Sequence, residues 1–182
     1  MENLIITLVI VLIVVFFIKL ANTVYIVHGH WQHYYENFSY STQDFYELVE
    51  KLVQEKGIPN LNLSRVEYYE SGYFSAKRQY LRIERDDIVF DICAAPFADD
   101  FFISSWRGEL PDFFRKFINA IPGIGGIIVN LLYRETYYQI DTEGMFASCV
   151  HNCVLDAIKQ ITEGKGMRDL TELERQFNRI GK

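Results

Sequence analysis

Cys93, His151 and Asp91 are the residues of this sequence whose types could form a nucleophilic catalytic centre. A cysteine thiol becomes nucleophilic when an imidazole takes its proton, and a carboxylate can hold that imidazole in the productive orientation. Asp141 is an alternative to Asp91 as this carboxylate. His151 is far from Cys93 in the chain and no known nucleophile signature surrounds either residue, so the chemistry depends on the fold bringing them together.

Three histidines, His28, His30 and His33, are the candidates for metal binding, because imidazole is the commonest nitrogen ligand of transition metals. No cysteine or carboxylate motif accompanies their H-x-H-x-x-H spacing. Trp and Tyr residues crowd the same stretch, residues 24–40, which is typical of the aromatic belt at a membrane interface. We therefore predict an aromatic belt here, with metal binding as the alternative.

A second group of possible ligands is Cys149, His151 and Cys153. The two cysteines are four residues apart and share one helical face, but that face is apolar. His151 projects about 200° around the helix from Cys149, at ~100° per residue, so the three side chains cannot converge on one zinc ion. The sequence predicts packing for these cysteines, and it predicts neither a metal nor a cofactor.

The strongest feature of the chain is an apolar run from Leu4 to Ala21, interrupted by Thr7 and Lys19. As a helix it is about 27 Å long at ~1.5 Å per residue, close to the ~30 Å of a bilayer core. The residues before it contain no Lys or Arg, which favours an uncleaved anchor over a signal peptide. Lys19 follows most of the run, so the positive-inside rule favours a cytoplasmic domain.

The composition of the chain excludes several classes of protein. The chain has 182 residues, 49% of them hydrophobic and 23% charged, which is enough for one compact domain and excludes a disordered chain. The formal net charge is -6 and the basic residues are scattered, so nucleic acid is excluded as a partner. The three cysteines are an odd number and suit a reducing compartment.

The first half of the domain predicts a helix followed by an antiparallel meander. Apolar residues at helical spacing over residues 42–56, after cap-forming Ser41 and before Gly57, indicate an amphipathic helix. Alternating and β-branched residues predict strands at 64–70, 78–85, 88–93 and 101–107. We expect a turn at Asp86-Asp87 and a loop over residues 94–100.

The second half begins with a hydrophobic segment from Phe113 to Tyr133, within the range 111–133. Its glycines and proline leave three interpretations open: a hairpin under the sheet, a helix lying on the membrane, or a second span. Residues 136–140 predict a strand, and Thr142 then caps a helix with an apolar stripe that runs from Phe146 to Ile161. The charged tail, residues 169–182, predicts a short exposed helix.

Several stretches resemble a group of uncharacterised bacterial proteins. They are Tyr80-Leu81-Arg82, the run from Val89 to Phe97, the run from Thr136 to Thr142, and Met145-Phe146. The resemblance covers the chain from about Ser64 to Glu174. It implies a bacterial source and one intact domain, and it implies no activity or catalytic residue.

These observations predict an α+β protein in which an N-terminal transmembrane helix precedes an antiparallel sheet packed against two amphipathic helices. The predicted units are an anchor (1–27), one domain (28–168) and the tail (169–182). The expected partner is the lipid bilayer, which the chain would contact through Leu4 to Ala21. In one interpretation Phe113 to Tyr133 contacts the bilayer as well. A protein partner is left open.

The predicted function is a non-enzymatic role at the cytoplasmic face of a membrane, as a scaffold, a sensor or a partner-binding module. The alternative is a small membrane-bound enzyme or ligand-binding domain. Its pocket would lie between the sheet and the helices, near Asp91, Cys93, Trp106 and His151.

Overall fold

An antiparallel sheet forms the centre of the fold in a computed structural model that describes residues 6–9, 11, 26–70, 76–110 and 136–179. The named elements are, in chain order, β1 (Ile26–Tyr35), α1 (Thr42–Glu55), β2 (Leu61–Tyr69), β3 (Lys77–Arg85), β4 (Ile88–Phe97), β5 (Asp100–Glu109), α2 (Tyr137–Thr162), α3 (Glu172–Arg175) and β6 (Asn178–Arg179). The strands are ordered β2-β3-β4-β5-β1-β6, and every neighbouring pair is antiparallel. The predicted α+β class with an antiparallel sheet is confirmed.

The predicted meander is present, with longer strands at the turn between β4 and β5. β3 and β4 are joined at Asp86-Asp87 as expected, and Asp86 has a positive φ of 56°. The predicted loop over residues 94–100 is wrong, because β4 continues to Phe97 and β5 begins at Asp100. Only Ala98 and Asp99 form the turn, and Ala98 takes a positive φ of 53°.

α1 follows the sequence prediction closely. The Ser41 side chain accepts a hydrogen bond from the backbone N–H of Asp44 at 3.2 Å and so caps the helix. Gly57 follows the last turn with a φ of +61°, a conformation that glycine adopts without steric cost. The buried face of α1, which includes Phe45 and Val49, packs against the sheet.

α2 begins earlier than the sequence predicts. Residues 136–140 were expected to form a strand, but Thr136 is the N-cap and its side chain accepts from the N–H of Gln139 at 3.2 Å. The predicted strand is therefore wrong, and Thr142 lies inside the helix. The apolar stripe itself is confirmed, since the residues from Phe146 to Ile161 that face the sheet and α1 are buried.

β1 replaces the aromatic belt that was predicted over residues 24–40. Trp31 and Tyr35 are only 1% and 3% exposed, so they are core residues of the domain. Gln32 and Tyr34 alternate with them on the other face of the strand. The prediction of a belt is wrong because side chains that suit a bilayer interface also suit a half-buried strand.

The C-terminal clasp, which we define as residues 172–179, packs onto β1. α3 is one helical turn with a capping box between Thr171 and Glu174. β6 then pairs with Gly29 and His30 of β1. A Cβ atom on Gly29 would lie 2.6 Å from the carbonyl oxygen of Asn178 and 2.7 Å from Phe177 Cε1, so only glycine fits this position.

The predicted membrane anchor is corrected. Of the run from Leu4 to Ala21, residues 6–9 and 11 are described as helical, and the others lie outside the described residues. No helix within the described part of the chain is long and apolar enough to cross a membrane. We therefore correct the predicted single-pass membrane location and the membrane-bound roles that depended on it. The segment from Phe113 to Tyr133 also lies outside the described residues.

The two faces of the sheet differ in what they carry. Leu81, Ile83, Phe90 and Ile92 point toward α1 and α2 and belong to the main hydrophobic core. Because side chains alternate along a strand, the residues between them lie on the opposite face. We call this opposite side the far face of the sheet, and it carries the polar and aromatic residues described next.

Candidate functional site

Four residues form a row across the far face of the sheet. Arg82 of β3 is directly opposite Asp91 of β4, and Asp91 is directly opposite Trp106 of β5. Trp106 in turn is opposite His30 of β1. Directly opposed residues on antiparallel strands have their Cβ atoms about 5 Å apart, so each side chain in the row can touch the next.

Arg82 and Asp91 form a buried ion pair. Arg82 Nε donates to Asp91 Oδ1 at 2.8 Å, and a second guanidinium nitrogen donates to Asp91 Oδ2 at 2.8 Å. The two residues are only 1% and 4% exposed. This bidentate geometry is the strong form of a carboxylate–guanidinium contact, and it fixes both side chains.

Tyr68 of β2 completes the network. Its hydroxyl donates to Asp91 Oδ2 at 2.5 Å and accepts from the Arg82 guanidinium at 2.6 Å. Burial, and then the negative charge of Asp91, raise the pKa of Tyr68 well above its usual value. The tyrosine therefore stays protonated and keeps donating to the carboxylate.

Tyr80 and Cys93 lie beside this network. The Tyr80 ring is perpendicular to the Tyr68 ring, with centroids 5.1 Å apart. Cys93 is fully buried, and burial raises the pKa of its thiol although nearby Arg78 acts in the opposite direction. A buried, protonated thiol is a poor nucleophile, so Cys93 contributes packing here.

Trp106 is the exposed member of the row. Its indole stacks on the imidazole of His30, with ring centroids 4.8 Å apart and an interplanar angle of 20°. The side chain is nevertheless 36% exposed, so one part of the ring system is open to solvent. A flat aromatic surface is thus held in place by a neighbour and remains available for contact.

A cavity of about 260 Å³ opens at these residues. The described residues that line it are Val27, Tyr68, Tyr80, Asp91, Trp106, Arg107 and Gly108. Three aromatic rings supply most of the side-chain wall, and Asp91 supplies the carboxylate. A concave, mostly apolar cavity with a few fixed polar groups is typical of a small-molecule site.

His151 lies on the other side of the sheet, away from Asp91 and Cys93. Its ring belongs to α2 and borders a second cavity, of about 180 Å³, between that helix and the sheet. His151 Nε2 donates to the carbonyl oxygen of Arg175 at 2.7 Å, and burial lowers the pKa of the imidazole. The fold thus brings Asp91, Cys93 and Trp106 to one face and places His151 on the other, and Asp141 is exposed on α2.

The three candidate metal-binding histidines have separate partners. His28 Nε2 lies 2.7 Å from Glu109 Oε1, and this nitrogen donates to the carboxylate. His30 stacks on Trp106, whereas His33 packs edge-on against Tyr35 at 4.6 Å on the opposite face of β1. Within the described residues no group of three side chains could hold a metal ion.

The sequence patterns do not identify Tyr68, Tyr80 and Arg82 as site residues. A signal for the last two was present in β3, where Arg78, Tyr80 and Arg82 alternate with the apolar Leu81 and Ile83. Such alternation places polar and aromatic side chains on one face. The sequence could not show that this face opposes Asp91, because that depends on the strand register.

Comparisons with known proteins add little to this site. No protein family matches the chain, and no curated protein matches it. A crystal structure of the protein TTHA0849 from Thermus thermophilus is 14% identical, with a TM-score of 0.21 over 71% of this chain and 98% of that one. A score this low carries no argument about fold or function. The expected likeness to uncharacterised bacterial proteins stays a prediction.

Proposed function

We propose that this protein binds a small, flat and largely apolar molecule in the cavity on the far face of the sheet. The observation that carries the proposal is the buried network of Arg82, Asp91 and Tyr68 at an aromatic cavity. The network supplies a fixed polar contact, and the rings supply the apolar surface. The proposed role is therefore binding, and it requires no reactive thiol or metal.

The ion pair supports this proposal because it is costly to bury. Two charges lose their hydration when they leave water, and apolar residues of similar volume often stabilise a fold as well or better. Arg82 and Asp91 are nevertheless almost completely buried. A buried ion pair that apolar residues could replace as a unit, positioned at a cavity, fits a role in recognition.

The aromatic wall indicates the shape of the ligand. Aromatic rings pair by offset stacking or edge-to-face contact, each adding about 0.5–1.5 kcal/mol beyond burial of area. Trp106 offers a partly exposed face, and Tyr68 and Tyr80 meet at 83° nearby. The volume of about 260 Å³ is slightly below the ~300 Å³ at which sites for drug-sized ligands begin, which fits a molecule of one or two rings.

Nuclear magnetic resonance of the full chain can test this proposal, because the protein has two tryptophans. Trp106 lines the cavity, whereas Trp31 is buried on the other face and donates from Nε1 to the carbonyl oxygen of Glu174 at 2.6 Å. Titration with one-ring and two-ring aromatic compounds should move the indole N–H signal of Trp106 and leave that of Trp31 in place. We expect dissociation constants on the order of 1 mM or tighter.

Two variants give this experiment its controls. Trp106→Ala should abolish binding measured by calorimetry, whereas Phe97→Ala should not, since Phe97 is an exposed aromatic residue of β4 that does not line the cavity. The proposal fails if no compound moves the Trp106 signal. It also fails if Trp106→Ala binds as tightly as the unmodified protein.

A further inference from the structure

We infer that the ligand of this cavity is electrically neutral and donates a hydrogen bond from its ring edge to the Asp91 carboxylate. The inference rests on the proposed binding function and adds the chemical class of the ligand. It follows from three features of the site: the unused acceptor capacity of Asp91, the balance of charge, and the position of Trp106.

The acceptor capacity of Asp91 is only partly used. An ionised carboxylate has about four lone-pair positions on its two oxygens. Among the described residues, Oδ2 accepts from Tyr68 and from Arg82, whereas Oδ1 accepts only from Arg82 Nε. Because Asp91 lines the cavity, its remaining acceptor position fits a donor carried by the ligand.

The polar groups around the carboxylate make the site selective for donors. The Tyr68 hydroxyl both donates to Asp91 and accepts from Arg82, so its hydrogen is already committed. In this network the Arg82 Nε atom donates to Asp91, and the Arg82 Nη2 atom donates to both Asp91 and Tyr68. A ligand that only accepts hydrogen bonds would therefore leave the Asp91 acceptor dehydrated and unmatched, which is unfavourable in a buried site.

The charges of the site favour a neutral ligand. Arg82 and Asp91 compensate each other at 2.8 Å, and Arg107 is paired with Glu143 of α2 at 3.7 Å. An anionic ligand would meet the Asp91 carboxylate. A cationic ligand would lose its hydration next to a carboxylate that Arg82 has already neutralised.

The position of Trp106 sets the orientation of the donor. Trp106 is directly opposite Asp91 across β4 and β5, so the indole and the carboxylate are neighbours on the sheet surface. A flat ring that packs on Trp106 therefore presents its edge, and not its face, to Asp91. This geometry selects ring N–H and phenolic O–H groups, as in indoles and phenols.

Matched compounds test the inference on the full chain by calorimetry and by the Trp106 signal. The compounds are 3-methylindole and 1-methylindole, which have the same size but differ in whether the ring N–H is free, together with benzoate and benzylammonium. We expect 3-methylindole to bind about tenfold more tightly than 1-methylindole, the effect of one buried hydrogen bond. Both ions should bind more weakly than 3-methylindole.

A double variant identifies Asp91 as the acceptor. Arg82→Met with Asp91→Leu removes the pair together, which avoids an unpaired buried charge and preserves the fold. The two methylindoles should then bind with equal affinity. Tyr68→Phe is the second variant, because it keeps the ring, releases an acceptor position on Asp91 and should preserve the preference for 3-methylindole.

The outcomes separate this inference from the proposed function. If both methylindoles bind the unmodified protein equally, the inference is wrong and the binding function stands. The same holds if benzylammonium or benzoate binds most tightly, or if the preference survives in the double variant. If none of the compounds moves the Trp106 signal, the proposed function itself is wrong.

Discussion

Asp91 and Trp106 lie directly opposite each other on β4 and β5, and this pairing joins the buried charge network to the exposed aromatic surface. Asp91 is held from one side by Arg82 and Tyr68. Trp106 is held from the other side by its stack on His30. The two groups that a ligand would contact are therefore both immobilised by their neighbours, and neither has to be ordered when binding takes place.

The Arg82–Asp91 pair predicts a strongly non-additive mutant cycle. Arg82→Met should lower the free energy of unfolding by about 3–5 kcal/mol, because it leaves the buried Asp91 carboxylate without its counter-charge. Adding Asp91→Leu should recover most of this loss. Urea unfolding of the two single variants and the double variant measures the effect. A double variant as unstable as the sum of the single variants would show that the two charges are not coupled.

Tyr68→Phe predicts a smaller loss. The substitution removes a hydroxyl that donates to Asp91 and accepts from Arg82. We expect the free energy of unfolding to fall by about 1–2 kcal/mol, since a hydrogen bond to a charged group is lost without a change in ring packing. Tyr40→Phe is the matched control, because no described hydrogen bond involves its hydroxyl. Equal effects of the two substitutions would contradict the network.

Gly29→Val should detach the C-terminal clasp. The added Cβ would lie 2.6 Å from the carbonyl oxygen of Asn178 and 2.7 Å from the Phe177 ring, so the clasp has to move. We expect a loss of about 1–3 kcal/mol, typical of overpacking, and faster protease cleavage near residue 176.

Gly144→Ala is the control for the clasp. Gly144 lies in α2 and a Cβ there would meet nothing within 4 Å, so alanine should stabilise the protein by about 0.5–1 kcal/mol. If Gly29→Val is cleaved no faster than the wild type, the pairing of β6 does not depend on the close approach of Gly29 to Asn178 and Phe177.

His151 predicts a loss of stability at mildly acidic pH. Burial lowers the pKa of this imidazole below its ordinary value of 6.5, so the folded protein holds it neutral while the unfolded chain takes up a proton. The resulting stability is complete above about pH 6.5 and is lost as the pH falls toward the folded pKa. The wild-type free energy of unfolding should therefore decrease between pH 7.5 and 5.5.

His151→Gln isolates the contribution of His151 to the pH dependence. The contributions of the other titrating groups cancel when the free energies of unfolding of the variant and the wild type are compared. The difference in unfolding free energy between them should shrink as the pH falls. His33, whose pKa is also lowered by burial, should still contribute in the variant. A difference that is constant from pH 7.5 to 5.5 would show that His151 does not titrate differently in the folded state.

Elements whose stability is local were predictable from the sequence. α1 was predicted at residues 42–56 because its cap, its apolar spacing and Gly57 lie within one short segment. In residues 136–140 the tyrosines and the isoleucine favour a strand, whereas the Thr136 cap and the packing of the rest of α2 favour a helix. The strand propensity of these residues is therefore outweighed by the tertiary packing that stabilises the helix.

The site was less predictable because it depends on register. Asp91, Cys93 and Trp106 were named together, and the fold does place them on one face. His151 was grouped with them, but the sheet separates it from the others. Arg82 has its partner across a hairpin, and Tyr68 reaches the same carboxylate from β2. Spacing within any one segment contains no information on these distances.

The strand order also affects how the protein folds during its synthesis. Among the described strands β1 is made first, but its neighbour β5 follows much later. His28, for example, contacts a residue 81 positions further along the chain. Contacts between such distant residues form slowly, whereas the hairpins from β2 to β5 close over short distances. The rings of Trp31 and Tyr35 pack against α2, which is made after β5. They therefore stay exposed on the growing chain until α2 is made, and this aromatic strand is where we expect chaperones to bind the nascent protein.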